Sequence, residues 1–236
     1  MKKLILLIAI LTISTIQAQK KIKGNGNITT ITRTTSDYEG IKCAGSFDYV
    51  LIAGDEGKIT LEGESNLLDY IITEVKDGNL IVKTENHINL SPSWNKTVKI
   101  TIPFKDINQV SLAGSGDLWN EDKITSNNLK VALAGSGDVV LNIEASTVES
   151  SLAGSGDLTL KGKTNSLEAR VAGSGDFHGF DLQSNNTDVS VAGSGDAQVV
   201  CNGSLKARVA GSGDIKYTGN PKTEDTKVAG SGSISN

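Results

Sequence analysis

The heptapeptide "RVAGSGD" occupies residues 170–176 and recurs unchanged at residues 208–214. Its core "AGSGD" occurs six times, and these copies begin at Ala113, Ala134, Ala153, Ala172, Ala192 and Ala210; a seventh copy, "AGSGS", begins at Ala229. Successive copies lie 21, 19, 19, 20, 18 and 19 residues apart. Helical-pair repeats need about 33 residues or more and propeller blades about 40, so a period near 19 indicates one coil of a β-solenoid.

The residues around each copy alternate between apolar and polar types, which is the period of a β-strand. The position before Ala is always branched and apolar, as in Leu112 and Val171, and the position after Asp is apolar, as in Leu118 and Phe177. If the alternation continues through "AGSGD", both glycines point inward and Ala, Ser and Asp point outward. An inward glycine lets the opposite wall approach closely or lets the strand bend with a positive φ. The sequence therefore predicts an all-β, parallel β-helix with one "AGSGD" in each coil.

The six repeated aspartates would form an outward column with neighbours about 4.8 Å apart. They are Asp117, Asp138, Asp157, Asp176, Asp196 and Asp214. Like charges at this spacing repel each other, so the column must face solvent, backbone N–H donors or cations. The commonest arrangement is an Asx-turn, in which the Asp carboxylate accepts a hydrogen bond from a following backbone N–H. The alternative is a calcium ladder, a row of calcium ions bound along the aspartate column. Repeat-in-toxin solenoids, which bind calcium, place their acids differently, with a period of about nine residues.

The N-terminal segment predicts export of the chain. Residues 1–18, "MKKLILLIAILTISTIQA", have the basic start, apolar centre and small-residue end of a secretory signal peptide. No later segment is apolar for long enough to cross a bilayer. Without Lys2 and Lys3, the 23 basic residues fall to 21 against 27 acidic ones, and a net charge of −6 disfavours nucleic acid as a partner.

The remaining residues, 19–236, are expected to form a single domain, with a less regular β part at 19–107 and the repeat coils at 108–236. Only "NLLDYIITEV", residues 66–75, is a candidate for a short helix, and "CAGSFD" at residues 43–48 is a degenerate copy of the repeat. The last coil has polar residues at interior positions and is expected to act as a cap. Cys43 and Cys201 fall on interior columns, where a free thiol behaves as a small hydrophobe; export would also permit a disulfide.

The residues with reactive side chains do not assemble into a recognisable catalytic motif. His87 and His178 lie in unrelated segments without a second His or Cys at ligand spacing, so we expect no metal site at either. "AGSGD" is not the G-x-S-x-G nucleophile elbow. A repeated Asp column supplies nearly identical environments, whereas a catalytic carboxylate pair needs two different ones. Trp94 and Trp119 are the candidates for stacking on a sugar, and Trp119 is placed outward just after the first full repeat. The alternative is that such a Trp covers the joint between two parts of the fold.

Three blocks of sequence resemble one known family. They are "YEGIKCAGSFDYVLIAG" at residues 38–54, "NLLDYIITEVKDGNLIV" at 66–82 and "IPFKDINQVSLAGSGDL" at 102–118, and the repeats follow them. Together with the repeats they are similar to the head GIN domain family, whose members are described as autotransporter adhesin heads, and the similarity covers about residues 30–236. The resemblance implies a pectin-lyase-like β-helix without recognised catalytic residues.

These observations predict an exported, non-enzymatic scaffold or adhesin-like protein in the periplasm, on the outer-membrane surface or outside the cell. Its expected partner is a cell-surface or extracellular polymer such as a glycan. The alternative is a carbohydrate-active enzyme or a calcium-dependent carbohydrate-binding protein on the same fold. The candidate contacts for a ligand or cation are the six aspartates of the column and Trp119.

Overall fold

The computed structural model describes residues 19–236, so the signal peptide predicted for residues 1–18 lies outside the described residues. The N-terminal part contains nine strands and one short helix. They are β1 (Lys20–Lys23), β2 (Ile28–Thr34), β3 (Gly40–Gly45), β4 (Asp48–Ala53), β5 (Lys58–Glu64), α1 (Ser65–Leu68), β6 (Ile71–Lys76), β7 (Asn79–Thr84), β8 (Ile88–Ser91) and β9 (Lys99–Phe104).

The repeat region continues as strands alone. They are β10 (Gln109–Gly114), β11 (Leu118–Asn120), β12 (Ile124–Gly135), β13 (Val139–Gly154), β14 (Leu158–Gly173), β15 (Phe177–His178), β16 (Leu182–Gln183), β17 (Asn186–Gly193), β18 (Ala197–Val200), β19 (Ser204–Gly211), β20 (Ile215–Thr218), β21 (Thr223–Gly230) and β22 (Ile234–Ser235). They wind into a parallel β-solenoid of about seven turns, which confirms the predicted fold and the period near 19 residues.

Two parallel ladders run along the solenoid. The first joins β3, β10, β12, β13, β14, β17, β19 and β21, and every Ala–Gly pair of the repeat lies beside the same pair in the next coil. The second joins β4, β11, the starts of β13 and β14, and then β15, β18, β20 and β22. The apolar positions flanking each repeat fill one continuous core between the ladders.

The two glycines of each repeat have different physical roles. In the copy at residues 172–176, Gly173 has a φ of 127°, and a Cβ there would lie 2.3 Å from the Gly154 carbonyl oxygen of the previous coil. Gly175 is buried, and its Cβ would lie 2.0 Å from the Gly156 oxygen. Only the second glycine therefore points inward as predicted. Both are required because the neighbouring coil, rather than the opposite wall, approaches closely.

The N-terminal part joins the solenoid directly through the pairing of β3 with β10. In the degenerate copy, Ala44 and Gly45 lie in register with Ala113 and Gly114 of the first full repeat. On its other side, β3 pairs with β7, and β7 forms an antiparallel hairpin with β6. The helix expected within residues 66–75 is confined to α1, and its second half is strand β6.

The opposite end of the solenoid is formed by β21. Glu224 and Thr226 lie beside Leu205 and Ala207, which are buried in the previous coil, yet all eight residues of β21 are exposed. A polar last coil is thus observed where the sequence predicts a cap. Among residues 19–236, no helix has the length and apolar character needed to cross a membrane.

Both cysteines are buried in the core and carry free thiols. Cys43 lies on β3 in the first coil, whereas Cys201 follows β18, several coils away. Burial raises the pKa of the Cys43 thiol well above its usual range. The thiols therefore serve as packing groups in this structure.

Candidate binding face

Aspartates of the repeat are tied together by backbone hydrogen bonds between coils. Oδ1 of each Asp accepts the backbone N–H of the equivalent residue in the next coil, at distances of 2.7 to 3.1 Å. The last member, Asp214, also accepts the Ser233 hydroxyl at 2.9 Å. We call this row the Asp ladder: Asp117, Asp138, Asp157, Asp176, Asp196 and Asp214. The expected amide donor exists, but it comes from the next coil and not from a turn within the same coil.

This bonding explains how the like charges are accommodated. Each carboxylate accepts one backbone N–H donor from the next coil, and each lies at the surface, where water weakens the repulsion. Within residues 19–236, no hydrogen bond reaches the second oxygen, Oδ2, of any ladder member. The Asp ladder therefore presents a row of fixed carboxylate oxygens for cations or hydroxyl groups.

A second row of outward side chains runs beside the Asp ladder, two residues further along each coil. Its members are Trp119, Val140, Thr159, His178, Gln198 and Lys216, and strand pairing holds them in register. Their chemical types differ from coil to coil, whereas the ladder itself is uniform. This row therefore gives individual positions along the solenoid different surface chemistry.

Trp119 borders an open groove of about 550 Å³. The groove is lined by Asp117, Leu118, Trp119, Asn120, Asp138, Val140, Asn142 and Lys161. Trp119 is half-buried, and the Val140 side chain beside it is exposed. We call this site the Trp119 groove. It places an aromatic and an aliphatic surface next to amide, carboxylate and ammonium groups.

The Trp119 groove lies beside an insertion in the first full coil. Trp119 pairs with Val140 and Ile124 pairs with Ile143, so four residues of the first coil, 120–123, face only two of the next. These two extra residues account for the 21-residue spacing. The insertion is fixed by Asn120, whose side chain donates to the Asn142 carbonyl at 2.8 Å and accepts the Asn142 N–H at 2.8 Å.

A similar insertion follows His178. His178 pairs with Thr159 and Leu182 pairs with Gly162, so three residues, 179–181, face two of the previous coil. The imidazole Nε2 of His178 lies 3.8 Å from Oδ2 of Asp157. Asp157, Asp176 and His178 each offer a ligand atom, and these atoms lie within 4.8 Å of one another.

Of the candidates named from the sequence, the structure brings Trp119 together with Asp117 and Asp138 in the Trp119 groove. The other ladder members lie further along the same face. Asn120, Asn142, Lys161 and the place of His178 were not anticipated. Aligning the column two residues after Asp would have paired His178 with Trp119, but the contact with Asp157 crosses coils, which spacing along the chain does not reveal.

A second open groove lies at another corner of the solenoid. It has a volume of about 860 Å³ and is lined mainly by polar residues, including Glu39, Gln109, Asn127 and Lys130. None of the candidates named from the sequence lines this groove. None of its lining residues is aromatic, which distinguishes it from the Trp119 groove.

The solved structures that this chain resembles include several bacterial proteins. One from Bacteroides fragilis, described as a putative adhesin, has a TM-score of 0.81 and 24% identity over 91% of this chain and 99% of its own. Two come from Parabacteroides distasonis. One is described as a putative lipid binding protein (TM-score 0.75, 29% identity) and one as a putative adhesin (0.72, 25%), and each match covers 92% of this chain and 99% of the other. Among curated proteins, none matches the chain significantly in sequence.

The sequence also matches a family model over residues 37–221, a range that includes the Asp ladder, the Trp119 groove and six of the seven repeats. The model is described as "Putative auto-transporter adhesin, head GIN domain". The matched range is well over half of the chain, and it agrees with the resemblance noted from the sequence. The chain belongs to the head GIN domain family of adhesin-type proteins.

Proposed function

We propose that this protein is an exported, non-enzymatic adhesin-like scaffold that binds a surface or extracellular glycan in the Trp119 groove. The observation that carries the proposal is the composition of that groove, where Trp119 lies beside Asn120, Asn142 and Lys161. An aromatic ring packs against the apolar face of a sugar. Amide, carboxylate and ammonium groups donate to and accept from its hydroxyl groups.

The shape of the groove supports binding of a polymer. It is open to solvent, so a chain of sugars could continue past it in both directions along the face. The rigid backbone on either side, with each coil bonded to the next, keeps the contacting groups in place before the ligand arrives. Such preorganisation lowers the entropic cost of binding.

The chemistry of the Asp ladder supports a binding role over catalysis. Glycoside cleavage by two carboxylates requires one protonated acid and one ionised partner, so their environments must differ. The ladder members all make the same bond to the next coil. This shared bond to the next coil gives each carboxylate a structural role and does not set one pair apart as acid and partner.

The test is binding of residues 19–236 to a glycan array, followed by solution affinity measurements on any hit. We expect Trp119→Ala to weaken binding at least about tenfold, which corresponds to about 1.4 kcal/mol. Trp94→Ala is the matched control, because Trp94 is 89% exposed and lies outside the groove. It should bind like the unmodified protein.

Two outcomes would contradict the proposal. Equal affinities of the Trp119→Ala and unmodified proteins would remove the groove as the site, and release of new reducing ends or unsaturated sugars from a polysaccharide would indicate an enzyme. Phospholipid vesicles should be included in the assay, because one similar structure is described as lipid binding. Binding to vesicles without binding to any glycan would indicate that the partner is a lipid surface and not a glycan.

A further inference from the structure

A cluster of three possible metal ligands lies on the same face of the solenoid as the Asp ladder. Its histidine is three coils further along than Trp119. Its members are Asp157 and Asp176 of the Asp ladder and His178, which belongs to the same row as Trp119. All three side chains are half-buried, so each is supported by the fold and still reaches solvent. Their ligand atoms lie within 4.8 Å of one another.

The two carboxylates are already oriented by the backbone. Oδ1 of Asp157 accepts the Asp176 N–H at 2.9 Å, and Oδ1 of Asp176 accepts the Asp196 N–H at 2.7 Å. Each therefore keeps its second oxygen for another partner. That oxygen of Asp157 is the atom that faces Nε2 of His178.

This coil differs from its neighbours in two respects. The row that contains His178 has Thr159 in the coil before and Gln198 in the coil after, neither of which supplies an imidazole. The coil also carries the inserted residue within 179–181. The inserted residue lies in the turn between β15 and β16, which directly follows His178, whereas β14 in the coil before runs without a break.

We propose that Asp157, Asp176 and His178 bind one divalent transition-metal ion, for which Zn²⁺ is the probe. Zinc takes nitrogen at about 2.0–2.1 Å and carboxylate oxygen at about 2.0–2.2 Å, which places ligand atoms about 3.3 Å apart in a tetrahedral site. The present separations, up to 4.8 Å, exceed that value by as much as about 1.5 Å, so binding would require rotation of these half-buried side chains. Three protein ligands leave a coordination position open to water or to an external oxygen donor.

The ligand set favours such an ion over calcium. Calcium takes six to eight oxygen ligands, whereas this cluster supplies two carboxylates and one nitrogen. Imidazole together with carboxylate suits zinc and similar ions of the first transition row. This inference is independent of the proposed glycan binding, because the ion alone is measured.

The experiment is calorimetric titration of residues 19–236 with Zn²⁺ in a buffer that does not bind metals. We expect one site per chain and a weakening of at least about tenfold in His178→Gln, which copies the residue of the next coil. Asp157→Asn should weaken zinc binding similarly, while its amide oxygen still accepts the Asp176 N–H. His87→Asn is the control, because Asn tolerates the positive φ of 63° at that position.

Folding and metal identity are checked in parallel. Circular dichroism should give the same β signal for all variants, and Zn²⁺ should raise the melting temperature of the unmodified protein but not of His178→Gln. Absence of one-site binding in a folded protein, or equal zinc affinity in His178→Gln, would overturn the proposal. Calcium binding as tight as zinc binding, unaffected by His178→Gln, would also overturn it and would favour a calcium ladder instead.

Discussion

At the scale of single residues, the Asp ladder combines a structural and a chemical role in one side chain. One carboxylate oxygen holds the next coil through its backbone N–H, and the other remains at the surface. Replacing an Asp with Asn removes the charge but keeps an acceptor oxygen, whereas replacing it with Ala removes both. The two substitutions should therefore have different effects on stability. This distinction separates the contribution of the ladder to stability from its contribution to binding.

Asn and Ala substitutions in the Asp ladder test its two roles separately. Replacing Asp157, Asp176 and Asp196 together with Asn should leave folding intact, because the Asn oxygen still accepts the N–H, while weakening any cation-dependent adhesion. In contrast, Asp196→Ala leaves the Asp214 N–H without this acceptor and should cost about 1 kcal/mol. Chemical denaturation measures the stabilities, and adhesion is compared with and without a chelator. Unchanged adhesion of the triple Asn variant would show that these three carboxylates do not contribute to cation-dependent adhesion.

A second prediction concerns the glycines. Gly173→Ala or Gly175→Ala should lower the free energy of unfolding by about 3 kcal/mol or more, because the new Cβ overlaps the backbone of the previous coil. Gly26→Ala is the control: its φ is 78°, but a Cβ there meets nothing within 4 Å, so the cost should be about 1 kcal/mol. Equal effects in denaturant would show that coil contact is not what requires glycine in the repeat.

At the scale of elements, one buried carboxylate connects segments of the N-terminal part through hydrogen bonds. Glu64, at the end of β5, accepts the backbone N–H of Gly26 and both the N–H and the hydroxyl of Ser93, the latter two at 2.8 and 2.6 Å. These bonds join the loop before β2 to the loop after β8. The Ser93 hydroxyl contributes most to holding the pKa of Glu64 below its usual value of 4.5.

This arrangement predicts a dependence of stability on pH. Because the folded-state pKa is lowered, the contribution of Glu64 is fully present above its unfolded-state pKa and is lost as the pH falls through the folded-state pKa. Glu64→Gln should therefore be less stable than the unmodified protein at pH 7, and the difference should shrink as the solution is acidified below about pH 4. Urea denaturation at several pH values measures it, and a difference that is constant with pH would contradict this account.

The Trp119 groove shows which features of an element can be predicted from the sequence and which cannot. The alternation predicted that Trp119 points outward beside the Asp column, and the structure agrees. It could not predict that residues 120–123 form an insertion whose Asn120 bonds to Asn142. An unequal repeat spacing reveals that a coil is longer, but only strand pairing reveals where the extra residues are placed.

At the scale of the whole molecule, each coil contacts only its neighbours, so stability is expected to vary along the solenoid axis. Central coils are bonded on both sides, and their core positions are fully covered. The last coil is bonded on one side, and every residue of β21 is exposed. Local opening should therefore begin at the C-terminal end.

Hydrogen exchange provides the measurement. Backbone amides in β13 and β14 should exchange slowly, near the rate set by global unfolding, whereas those in β21 and β22 should exchange much faster. The amides of the β6–β7 hairpin, which closes the other end, should show intermediate protection. Uniform protection from the first coil to the last would indicate a fully cooperative fold and would contradict the prediction.

The sequence by itself determined the strand period, the coil length near 19 residues, and the outward position of Asp and Trp119, because alternation and repetition are local properties of a chain. Only the tertiary structure decided which groups meet between coils: the Asp carboxylate with the next Asp N–H, and His178 with Asp157. The physical reason is that neighbours in a solenoid are about one coil apart in the chain. Their register depends on where coils of unequal length take up their extra residues, which the repeat pattern leaves open.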